Sequence, residues 1–172
     1  LVLNAARLNA SGGTFTSVSA GGDARLENTE VGGDVSASGV MTLVQVGVGG
    51  TLSSSGVLEA TYSSITGSIS VGGGTATIFT STIGGSLSVG GASATVEYAR
   101  IRGVIAGPGS NLTLSKSLVE GASGEGVSIN SPASFRMSQT SVAHSGGTAI
   151  RVNSGVSTIV AIADCTLVDN AG

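Results

Sequence analysis

The sequence predicts an all-β protein, a right-handed parallel β-helix solenoid of about nine coils with three short strands in each. Three observations predict it: an apolar position recurring every 17–23 residues, apolar pairs seven residues apart within the units, and a composition of small side chains. The recurring position falls at Leu1, Val18, Val35, Leu52, Ile69, Leu87, Ile105, Val127 and Ile150, in steps of 17, 17, 17, 17, 18, 18, 22 and 23. The pairs are Ala24/Val31, Met41/Val48, Leu58/Ile65, Ala76/Ile83, Ala94/Ile101, Leu112/Val119, Phe135/Val142 and Val160/Leu167. Of 172 residues 29 are Gly, 3% are aromatic and none is Trp, so a globular core of large side chains is not available.

The first strand of each unit places two residues inward, as in Val18/Ala20, Val35/Ala37, Leu52/Ser54, Ile69/Val71, Leu87/Val89, Val127/Ile129 and Ile150/Val152. A second strand follows with Ala24/Leu26, Met41/Leu43, Leu58/Ala60, Ala76/Ile78, Ala94/Val96, Leu112/Leu114, Phe135/Met137 and Val160/Ile162. A third carries Thr29/Val31, Val46/Val48, Ser63/Ile65, Ser81/Ile83, Ala99/Ile101, Ser117/Val119, Thr140/Val142 and Cys165/Leu167. Within every pair one residue intervenes, the period of a half-buried strand. All units run in the same order, so each stacks on its predecessor in parallel, with a rise of about 4.8 Å. Gly clusters such as Gly49-Gly50 and Gly84-Gly85 fall between strands, at corners needing positive φ or no Cβ. A left-handed hexapeptide helix would place inward residues once every six. Here they fall at 0/2, 6/8 and 11/13, and the later coils swell, which favours the right hand.

The chain reads as one β-helix domain over 1–172, with short coils over 1–104 and longer ones over 105–172. Leu1 falls on an inward column and Gly172 stops short of another coil, so a segment of a longer rod, or ends that pair with other copies, is expected. A net charge of −3 offers no basic stripe for nucleic acid. No apolar run approaches the roughly 20 residues of a membrane helix, and no signal-like segment opens the chain. One Cys and one His supply no metal site, no cofactor is expected, and Cys165 reads as a small core residue.

The stretch from Phe135 to Ile150, with Asp164-Cys-Thr-Leu-Val-Asp-Asn170, resembles the repeat of pectin-lyase-like proteins and bacterial surface adhesins. The 17-residue coils, such as Glu30-Val-Gly-Gly-Asp-Val35 and Ser64-Ile-Thr-Gly-Ser-Ile69, are similar in phase to bactofilins, which polymerise. The resemblance implies a fold and a cell-surface or extracellular setting. It carries over no catalytic residue, because the acidic calcium cluster of pectate lyases has no counterpart among these residues.

Growth toward the C-terminus is confined to two corners: the one after the first strand, as in Asn130–Ser134 and 153–159, and the one closing each unit, as in Glu120–Gly126 and Ala143–Ala149. Loops carry sites, so Glu120, Glu125 and His144 are the candidates for acid–base chemistry on a sugar chain, with Arg151 nearby. Against this stands the plainer reading of charged turn residues. A second group, Tyr98, Arg100, Arg102 and Lys116 with Glu97 and Glu120, suits surface ion pairing or contact with a glycan or surface protein, and Arg151 is a further candidate for such ligand contact. Asn130 and Asn153 are expected to form an asparagine ladder. The outward rows Ser19, Ser36, Ser53, Ser70, Ser88, Ala106, Ser128, Arg151 and Arg25, Thr42, Glu59, Thr77, Thr95, Thr113, Arg136 are flat and hydroxyl-rich. Glu59, Phe79 and Glu97 interrupt the regular array that ice binding wants. Asn9-Ala10-Ser11 and Asn111-Leu112-Thr113 match glycosylation sequons. The expected function is a non-catalytic structural or adhesive module, with a carbohydrate-binding or polysaccharide-cleaving β-helix and a self-assembling filament subunit as alternatives.

Overall fold

The computed structural model describes residues 2–132, 134–153 and 158–172, with side chains from Arg7 onward. It is all β, a parallel β-solenoid in which each coil pairs with the one before and the one after. A representative coil has strands Val35–Ala37, Val40–Val44 and Gly47–Val48. These pair in parallel with Leu52–Ser54, Val57–Thr61 and Ser64–Ile65 of the next coil. Not every corner breaks the strand. Ser17–Glu27 runs through the corner between first and second strands, and Thr82–Val89 and Arg100–Ala106 run from the third strand into the following coil.

The inward columns stack as the repeat requires. Leu26, Leu43, Ala60, Ile78, Val96, Leu114 and Met137 form one ladder of fully buried residues. Phe135 lies in the parallel ladder above Leu112, completely enclosed. Each Leu or Ile removed from water in this way contributes about 1.5–3 kcal/mol, and neighbouring coils share that burial. At the last coil the same columns emerge: Val160, Ile162 and Leu167 are exposed.

The register corrects the sequence reading at one coil. Val104, not Ile105, occupies the first-strand column: it pairs with Leu87 below and Val127 above and is buried, as is Ala106. Ile105 faces outward in the row of Ser88 and Ser128, the place assigned to Ala106. With apolar residues at 104, 105 and 106, alternation alone does not choose a face. A register shift between Ile83 and Ser86 makes the choice. The long coils therefore begin at Val104. Leu1 lies outside the described residues, and Leu3 is what pairs with Val18. Ala133 and 154–157, within the two enlarged first corners, also lie outside them.

The corner between second and third strands explains the fixed seven-residue spacing. In each coil one residue there adopts the left-handed conformation: Asn28, Gln45, Tyr62, Thr80, Tyr98, Lys116, Gln139 and Asp164, with φ between 47° and 55°. The next residue is an inward hydroxyl in most coils. Ser63 Oγ donates to Thr61 O at 3.0 Å and accepts from Val46 N of the preceding coil at 3.3 Å. Ser117 Oγ donates to Ser115 O at 2.7 Å and accepts from Ala99 N at 3.1 Å. Thr140 and Ser81 repeat this pattern. Cys165 takes the same place in the last coil, half-buried, its Sγ 3.1 Å from Ala163 O. A bend that turns backbone groups away from the ladder is thus satisfied by a buried side chain of the next coil.

At the corner closing the coil, Gly49 and Gly67 serve a different need from positive φ. A Cβ on Gly49 would stand 2.3 Å from Gly32 O, and one on Gly67 would stand 2.4 Å from Gly50 O. Neither has positive φ. At these two positions the coils approach one another too closely for a Cβ.

Candidate functional site

The outward residues of the third strand and of the left-handed corner share one flank of the rod. Tyr98 occupies the corner, and Arg100 and Arg102 follow it outward along Arg100–Ala106. Lys116 stands in the same corner row one coil later. Its Nζ lies 2.8 Å from Glu97 Oε1 and 5.0 Å from the Tyr98 ring centroid. The Glu97 hydrogen bond, then Tyr98, raises the Lys116 pKa, so the ammonium is held charged. Tyr98 packs edge-on against Phe79 with centroids 5.5 Å apart, and Phe79 against Tyr62 at 6.3 Å. This aromatic line was not legible as a site in the sequence. The signal was there: Tyr62 and Tyr98 each stand two residues after an inward residue of the second strand, Ala60 and Val96.

Beyond it lies a shallow groove lined by Thr82, Gly84, Arg100, Arg102, Glu120 and His144. Glu120 bonds Arg100 at 2.6 Å and approaches His144 Nδ1 at 3.4 Å. His144 Nε2 lies 3.6 Å from Asp169, a residue not singled out in the sequence. Arg102 donates Nε to Gly121 O at 2.9 Å. Glu120 and His144 are thus brought together as expected, with Arg100 as the carboxylate's closer partner. Glu125 is engaged elsewhere: Arg151 Nη1 bonds it at 2.8 Å. That bond, then the backbone, lowers the Glu125 pKa. A carboxylate held ionised is poorly placed to donate a proton to a glycosidic oxygen.

Most of these ion pairs join one coil to the next, as does Arg7–Asp23 at 2.9 Å. Arg25–Glu27 stays within one strand. The asparagine ladder is present, with Asn153 Nδ2 donating to Asn130 Oδ1 at 2.9 Å. The first-strand flank carries a second depression, lined by Ser19, Ser36, Ser53, Ser70 and Gly72. Among the described residues no helix is long and apolar enough to cross a membrane.

The chain matches no family model, no curated protein and no solved structure.

Proposed function

We propose that the chain is a non-catalytic structural and adhesive module, a stiff rod of an extracellular or cell-surface protein. In this reading it is a right-handed coil of the kind found in pectin-lyase-like proteins and bacterial surface adhesins. The observation that carries the reading is how the charged residues are used. Glu120 and Glu125, the carboxylates considered for acid–base chemistry, are each tied to a cation on a neighbouring coil, as is Glu97, so they hold coil to coil instead. Exposed pairs of this kind add little to stability because solvent screens them, and their value lies in fixing the flank they border. Incubation with neutral and uronate polysaccharides should release no reducing ends and no unsaturated product. Small-angle scattering should give the profile of an elongated rod. Product release that disappears in Glu120→Gln would overturn the proposal in favour of a polysaccharide-cleaving enzyme.

End-to-end self-association is a second reading, favoured by the shared register of successive coils, each of which presents the same inward columns to the next. Sedimentation that stays monomeric at high concentration would exclude it.

A further inference from the structure

The aromatic residues are distributed unequally. Phe135 is buried in the core, and Phe15, in the first coil, is partly buried against the same core. The other three, Tyr62, Phe79 and Tyr98, form one line on the surface, with Tyr62 58% and Tyr98 49% exposed. The fold does not require them there. The left-handed corner accepts Asn28, Gln45, Thr80 and Lys116 in the same row, and a bulky side chain is among the least suited to positive φ. The line runs along the rod axis. Tyr62 and Tyr98 are two coils apart, about 9.6 Å at the usual strand spacing, and Phe79 of the intervening coil packs edge-on against both rings.

We propose that this ridge binds a neutral, unbranched polysaccharide lying along the rod, an assignment that rests on the adhesive reading above. Tyr rings present an apolar face to the C–H face of a pyranose and a hydroxyl to its rim. Two such rings spaced two coils apart address next-nearest sugars of an extended chain. Charge selects the neutral polymer. Lys116 is matched by Glu97 and Arg100 by Glu120, so the border offers both donors and acceptors to sugar hydroxyls. An acidic polymer would have to displace those carboxylates from Lys116 and Arg100, and Arg102 beside them already donates to Gly121 O. A protein partner would need about 800 Å² of contact on each side, whereas the ridge offers one ring per coil, with the small outward Ser64 and Thr82 beside its first two coils.

The chain contains no Trp and only two Tyr, both in the ridge, so tyrosine emission reports this site directly. The probes are hexasaccharides of neutral β-linked glucan, xylan and mannan, with hexagalacturonate as the acidic comparison. At least one neutral hexasaccharide should change the emission saturably. Tyr62→Asn and Tyr98→Asn should each weaken binding about tenfold while leaving the melting profile intact, because Asn suits the left-handed corner. In these single-Tyr variants affinity is read by calorimetry as well as emission, and Phe79→Ala, which keeps both tyrosines, should also weaken binding. Binding unaffected by these variants, preference for hexagalacturonate, or no response to any neutral hexasaccharide would overturn the proposal. So would a protein ligand that alone protects the two tyrosines. If no glycan binds yet the chain scatters as a rod and releases no product, the glycan assignment fails alone. Product release defeats the adhesive reading itself.

Discussion

The short coils before Val104 and the long coils after it share one scaffold and differ only at two corners. In the short coils the corner closing each unit is stacked glycine, with backbone so close that a Cβ on Gly49 or Gly67 would collide with the coil below. In the long coils the same corner becomes Glu120–Gly126 or Ala143–Ala149, and it brings Glu120, Glu125 and His144 to the surface. The corner between second and third strands never grows in either region. Its left-handed residue and, in most coils, the buried hydroxyl beside it fix both the turn and its hydrogen bonds, so length is constrained where geometry is most specified.

The largest test of this contrast is insertion. One Gly added after Tyr62 shifts the inward set of the third strand and should cost more than about 4 kcal/mol, seen as a collapse of the urea midpoint. The same insertion after Ser123 should cost about 1 kcal/mol, since loop length alone contributes little. Equal losses would dissolve the distinction between the two corners.

Next in size is the hydroxyl ladder. Ser117→Ala removes the acceptor of Ala99 N and should cost about 1–3 kcal/mol, and Ser63→Ala should cost the same in the short coils. Ala99→Ser should instead stabilise by about 1 kcal/mol, because it gives Ser81 N the hydroxyl that Ser63 gives Val46. Denaturant melts of the three variants decide whether the ladder supports both regions alike.

Smaller again is the effect of a hydroxyl in the wrong column. Ser54 Oγ is buried without a partner among the described residues, between Ala37 and Val71. Ser54→Ala should therefore raise stability by about 1 kcal/mol, and a lower melting midpoint would mean that the hydroxyl has a stabilising role.

The smallest effect concerns pH, and it separates the regions by cause. Asp23 in the short coils is lowered first by the Val40 N–H and then by Arg7, whereas Glu125 in the long coils is lowered first by Arg151. For both, the stabilisation is present above the unfolded carboxylate value and is lost as pH falls through the depressed folded value. For Lys116 the sign reverses: its contribution is present below the ordinary lysine value and is lost as pH rises through the raised one. Carboxylate titration by NMR should show added salt moving Glu125 toward its ordinary value more than Asp23, since an ion pair is screened more than a backbone hydrogen bond.

Much of the fold was legible because a stacked coil repeats its own errors and successes: Leu26 and Met137 occupy one ladder, and their common phase is visible in a single chain. The failure at Ile105 is equally local. Val104-Ile105-Ala106 offers two apolar registers, and only the shift near Gly103 selects between them. Of the candidate residues, Glu120, His144, Arg100 and Tyr98 stood within range of sequence reasoning because neighbouring coils place equal phases side by side. Glu125 with Arg151 went its own way, because the seven-residue corner separates its partners from those of Glu120.

By itself the sequence determined the period, the inward columns outside Val104-Ile105-Ala106, the parallel stacking and the corners free to lengthen. All of these follow from alternation of apolar and small residues along a chain that must bury one coil on the next. Only the tertiary structure decided which non-glycine residues turn left-handed, which cations meet which carboxylates, and that Tyr62, Phe79 and Tyr98 touch. Those outcomes depend on side chains from different coils meeting across a rise of about 4.8 Å, a distance that no pattern along one coil encodes.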